Sequence, residues 1–205
     1  MHHTLWGESF QRSYALFNHL TVVFWTLAYL IIVLYGIQDR KNHRLLFMPL
    51  ISGMLAIAWE INALLISGGF YGHVLWTALD IFIFIHNVCF LEKSKRGKYL
   101  LLTAVSVIVL YGIFRVPNAD GQRNSSFVID IILATEYVLC AKQIARQGKI
   151  PVGVLKFLGD LFAWLANMQS SVFVAVSGLI VALLHLFYLA ICLEQDSRSR
   201  KGARE

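Results

Sequence analysis

One feature limits this chain more than any other: apolar runs of near-membrane length follow one another with little between them. They lie at 14–36, 44–66, 73–91, 99–114, 127–144, 152–168 and 172–193 of 205 residues. A span of the bilayer takes about 20 predominantly apolar residues, so seven such runs leave no room for a soluble catalytic domain. Only 15% of the residues are charged and mean hydropathy is +0.63, whereas soluble domains carry about 25% charged residues. Surface-to-volume scaling does not let a fold of this size hide so much apolar surface from water. The pattern predicts an all-α polytopic membrane protein. A single bundle of seven transmembrane helices occupies 1–196, and a basic, disordered cytoplasmic tail occupies 197–205.

Lys and Arg set the orientation. Fourteen of the 18 lie in the first, third and fifth connections and the tail, in clusters such as Arg40-Lys41, Lys93-Ser94-Lys95-Arg96 and Arg198-Ser199-Arg200-Lys201. Cytoplasmic loops carry this excess, which predicts N-out and C-in. The net charge of +6 and pI near 9.3 therefore point to a lipid surface rather than to nucleic acid. Cys89, Cys140 and Cys192 show neither pairing nor metal-ligand spacing and read as small buried hydrophobes. The first apolar run lacks a small-residue cleavage site after it, so it is expected to stay as a span.

Ionisable residues inside apolar runs need a reason, because each costs about 2.5–3.5 kcal/mol at mid-bilayer even on permissive scales. This chain has Glu60, Asp80, Asp130, Glu136 and Asp160, with His86 and His185. Glu60 lies about two turns before the end of the second run, and Asp80 about two turns into the third. A short connection makes these helices antiparallel neighbours, so both carboxyls fall at one depth. Asp130 falls at a similar or shallower depth. Trp59 precedes Glu60, Trp76 lies one turn before Asp80, and Trp164 one turn after Asp160. A carboxylic acid in a low-dielectric site keeps its proton and can pass it to an olefin or epoxide. Aromatic faces stabilise the cation that forms. Two readings stand for Glu136 and Asp160: helix-to-helix hydrogen bonding, with Lys156 as a possible ion partner, or a place in the site. A tryptophan near a span end also serves as an interfacial anchor, and His86 reads as a structural contact.

Trp59-Glu60, Trp76-x-x-x-Asp80 and Lys156-Phe157-Leu158-Gly159 together resemble the integral-membrane terpene cyclases of fungal meroterpenoid and indole-diterpene pathways and their bacterial relatives. Those enzymes are seven-span proteins of similar length. The resemblance implies protonation of the epoxide or alkene of a prenyl chain attached to a polar moiety, then cationic ring closure. It assigns Glu60 as proton donor and Asp80 as the group that orients or reloads it. In the last span, Leu184-His185-Leu186-Phe187-Tyr188 stands where the family carries an acid before a tyrosine, so His185 takes the acid's place. Asn62, Asp130, Asp160, Trp164 and Tyr188 join Trp59 and Trp76 as candidate substrate- or cation-binding residues. Neither an Asp-Asp-x-x-Asp nor an Asp-x-Asp-Asp motif occurs, and the chemistry requires no cofactor or metal. The rival reading is a small seven-span solute carrier. Such carriers usually show related three-helix repeats with Pro-Gln pairs, and no Pro-Gln occurs here.

Overall fold

A computed structural model describes residues 4–38, 50–67, 71–89, 93–115, 120–141 and 149–201. These form seven α-helices: α1 (Thr4–Gln38), α2 (Leu50–Ser67), α3 (Tyr71–Cys89), α4 (Lys93–Phe114), α5 (Gly121–Cys140), α6 (Lys149–Asn167) and α7 (Val172–Lys201). No strand occurs among the described residues. Four helices contain stretches long and apolar enough to cross a membrane: Ser13–Leu34, Lys93–Phe114, Ile150–Asn167 and Val172–Arg198. Shorter apolar segments, Gly53–Ile66 and His73–Cys89, occupy α2 and α3.

Polarity is inverted relative to a soluble protein. Large apolar side chains such as Leu101, Ile108, Leu139, Val172 and Phe187 are exposed, while Glu60, Asn62, Asp80, Lys156, Asp160 and His185 are buried. Charged residues are almost never fully buried in soluble folds unless paired. A greasy exterior around a polar interior is what lipid imposes on a helical bundle.

The packing forms a closed circuit. Helix α1 packs on α6 and α3, α3 on α2, α2 on α5, α5 on α7, and α7 back on α6. Helix α4 lies outside this ring, chiefly against α2, and of its side chains only Leu110 is buried. One apolar cluster, with Ile32, Ile83, Tyr137, Val152, Tyr188 and Cys192 at its centre, joins α1, α3, α5, α6 and α7. Pro151 sits in the first turn of α6, where a missing N–H costs nothing.

Three expectations about the ends of elements need correction. Residues 197–201 continue α7 rather than forming a disordered tail; Arg198 pairs with Glu194 one turn back at 2.6 Å, and no glycine intervenes before Gly202. The basic run from Lys93 begins α4 instead of standing apart as a loop. Helix α5 starts at Gly121, earlier than the apolar pattern, because Arg123 returns to Asp120 at 2.7 Å and Ser126 bonds the Arg123 carbonyl at 2.8 Å. Of the cysteines only Cys192 is buried; Cys89 is exposed and Cys140 intermediate. The connection at 39–49, with Arg40, Lys41 and Arg44, lies outside the described residues, as do 142–148 and 202–205.

Candidate functional site

Helical spacing builds the site. In α1, Tyr14, Asn18, Thr21, Trp25 and Tyr29 recur at intervals of three and four, which puts them on one face. His73, Trp76 and Asp80 do the same in α3. These faces, with Trp59 and Glu60 of α2 and Asp130 of α5, line a cavity of about 750 Å³. Lys156 of α6 lies at its inner end, while α7 supplies none of the lining. The mouth carries Tyr14, Asn18, Arg123 and Asn167, at the end of the bundle where α1, α3 and α5 begin and α2 and α6 finish. From Tyr14 to Tyr29 the cavity follows α1 for about 22 Å.

Among the described residues Glu60 has one hydrogen-bonding partner, His73, with Oε2 2.8 Å from Nδ1. When the carboxyl is protonated its O–H donates to Nδ1; when the imidazole is protonated, Nδ1–H donates to the carboxylate. One proton therefore lies between the two groups in either state. A Lys or Arg there would leave a permanent ion pair and no transferable proton. A histidine does not.

The indoles are fastened by their N–H groups. Trp59 Nε1 donates to the Gln122 carbonyl at 3.0 Å and to Ser125 Oγ at 3.2 Å. Trp76 Nε1 donates to Thr26 Oγ1 at 3.2 Å, and Trp25 Nε1 to Asp160 Oδ1 at 2.7 Å. With the polar edge of each ring tied into the wall, carbon faces and edges are left for the cavity. The rings also touch in sequence: Trp25–Trp76, Trp76–His73 and His73–Trp59 have centroids 5.2, 5.6 and 5.6 Å apart. A continuous aromatic belt spans α1, α3 and α2.

The other carboxyls of the cavity are less well supplied. Asp80 is buried with Oδ1 lacking a hydrogen-bond partner, although the Tyr29 hydroxyl lies beside the group. Asp130 makes no hydrogen bond or ion pair among the described residues, and the charges of Asp160, Lys156 and Glu60 act on it.

Asp160 is the opposite case. Its Oδ1 accepts from Trp25 and lies 3.7 Å from Lys156 Nζ; its Oδ2 is 2.5 Å from His185 Nε2. The Lys156 ammonium also stands 4.6 Å from the centre of the Trp25 ring. A Cβ at position 159 would collide with that indole, so the glycine lets α1 approach α6. The Lys156-Phe157-Leu158-Gly159-Asp160 stretch therefore forms a cradle for Trp25.

Trp59, Glu60, Trp76, Asp80 and Asp130 thus share the cavity wall, and the structure keeps five other expected site residues away from it. Asn62 lies roughly 200° around α2 from Glu60 and ties that helix to α4, Nδ2 donating to the Ala58 and Val107 carbonyls at 2.8 and 2.9 Å. Asp160 is screened from the cavity by Trp25 and joined to His185. Trp164 packs on Gly178, and Tyr188 on Gly153 and Tyr137. His185 and Tyr188 belong to α7, which backs α5 and α6 instead of reaching the cavity. Sequence reasoning missed His73, Trp25 and Tyr29. The 73–76–80 and 18–21–25–29 stripes were the available signal.

No family model, curated protein or solved structure matches this chain.

Proposed function

We propose that the chain is a seven-span membrane protein, N-out and C-in, whose cavity is the active site of a protonation-initiated cyclase acting on a prenyl chain. The basic residues support the topology through their alternation along the sequence. Helices α2, α3 and α5 are 18, 19 and 20 residues long, enough for about 27–30 Å of bilayer. Glu60 and Asn62 of α2, Asp80 and Asn87 of α3 and Ser125 of α5 are buried inside the bundle. Membrane-impermeant thiol labelling tests the topology: Ser170→Cys is expected to react from outside in intact cells, and Lys95→Cys only after permeabilisation. The reverse pattern would exclude it.

The observation that carries the catalytic reading is the Glu60–His73 pair at 2.8 Å, set between Trp59 and Trp76 in the cavity wall. Glu60 gives its proton to the terminal alkene carbon or epoxide oxygen of the prenyl chain. The π electrons of the next double bond then close a ring onto the cation, with the indole belt offsetting positive charge. Loss of a proton, or capture by a nucleophile of the attached moiety, ends the sequence. His73, rather than Asp80, is positioned to return a proton to Glu60, because it contacts that carboxyl and stands nearer the mouth. A cavity of about 750 Å³ falls within the range that encloses a drug-sized organic molecule. The test is to express the protein with prenylated indoles, phenols and quinones, with and without terminal epoxides, and identify products. Cyclised products that vanish with Glu60→Gln support the reading, and absence of any cyclised product across the panel removes it.

A further inference from the structure

The same cavity holds an imbalance that cyclisation does not require. Glu60, Asp80 and Asp130 line it, and Asp160 stands immediately behind. The lysine at its inner end, Lys156, is committed to Asp160 and to the face of Trp25. Glu60 has His73. That leaves Asp80, 1% exposed with Oδ1 unpartnered and the Tyr29 hydroxyl as its hydrogen-bond partner, and half-buried Asp130, with no hydrogen bond or ion pair among the described residues. Burying a carboxylate without a bonded counter-charge is costly, and Lys156, whose charge acts on both groups, is already paired with Asp160, so the two carboxyls leave room for a further positive charge.

The surroundings specify what kind of charge. Among the described residues no group of three His, Cys, Asp or Glu side chains is placed to hold a metal ion. The volume of about 750 Å³ is that of an organic ligand site, far beyond one bare cation. Trp59, Trp76 and Tyr29 line it together with the two carboxyls. An ammonium already occupies a neighbouring indole face, that of Lys156 over Trp25 at 4.6 Å. Aromatic faces plus carboxylates, with all three indole N–H groups turned into the wall, make the arrangement that recognises alkylated ammonium groups.

We infer that the cavity is a receptor site for an organic cation, a tertiary or quaternary ammonium carrying an apolar substituent, held between Asp80 and Asp130 and covered by Trp59, Trp76 and Tyr29. This rests on the cavity alone and stands whether or not a prenyl chain is cyclised there. Binding involves no covalent step.

The test uses the full chain in lipid nanodiscs, with empty nanodiscs to correct for partitioning. Benzyltrimethylammonium is titrated against indole fluorescence beside neopentylbenzene, its neutral isostere with carbon in place of nitrogen. The charged probe is expected to quench saturably, with a Kd lower than that of the neutral one by about 10-fold or more. Asp80→Asn and Asp130→Asn are each expected to weaken the charged probe by roughly 5- to 10-fold and leave the neutral probe unchanged. Equal affinity for the two probes in the wild-type protein overturns the inference, as does wild-type affinity in both variants. Should Asp80→Asn not fold, the wild-type comparison and Asp130→Asn still decide. Failure to cyclise prenyl substrates leaves this result untouched, so the two readings fail separately.

Discussion

Asp160 and Asp80 are the same side chain, both buried, and their surroundings differ completely. Asp160 has Trp25 on one oxygen, His185 on the other and Lys156 alongside, which ties α1, α6 and α7 together. Asp80 has an oxygen with no partner and faces an open volume. A satisfied buried carboxylate organises its helices; an under-satisfied one beside a cavity is available to something that enters. Residue type and burial do not separate the two roles. Partner inventory does.

The comparison can be broken by experiment. Glu60, on the cavity side, should show the largest effect: Glu60→Gln lowers cyclisation by about 10²–10⁴-fold while changing unfolding free energy by under ~1 kcal/mol. Product formation and detergent-induced unfolding, measured on one preparation, check both halves. On the structural side, Asp160→Ala strands a buried lysine and is expected to cost about 3–5 kcal/mol in the same unfolding titration. A stable Asp160→Ala protein would refute its part as keystone. Gly159→Ala pushes a methyl into the Trp25 indole and should cost about 1–3 kcal/mol by overpacking, with a shift in indole emission. The smallest effect belongs to Asp80→Asn, expected within about 1 kcal/mol of wild type because the carboxylate it removes lacks a full set of partners. A loss as large as that of Asp160→Ala would erase the distinction.

Much of the architecture was legible in the sequence. The apolar runs foretold the helices, and matched depth on antiparallel neighbours foretold that Glu60 and Asp80 share one space. Depth is a one-dimensional quantity: residues counted from a boundary, times a fixed rise. The stripes of α1 and α3 could have been read the same way, and would have added His73, Trp25 and Tyr29. Asn62 shows where counting stops. It lies two residues from Glu60 and is equally buried, yet it turns to α4.

The chain by itself therefore determined that the seven described helices form, where most of them run, and how far along its helix each polar group lies. Only the tertiary structure decided which way each helix is turned, and so which carboxyl meets a partner and which meets a cavity. In water an amphipathic helix announces its buried face. In a bilayer the outside is as apolar as the packing surface, the hydrophobic drive between helices disappears, and rotation is fixed by close contacts such as Gly159 against Trp25 that no pattern of hydropathy records.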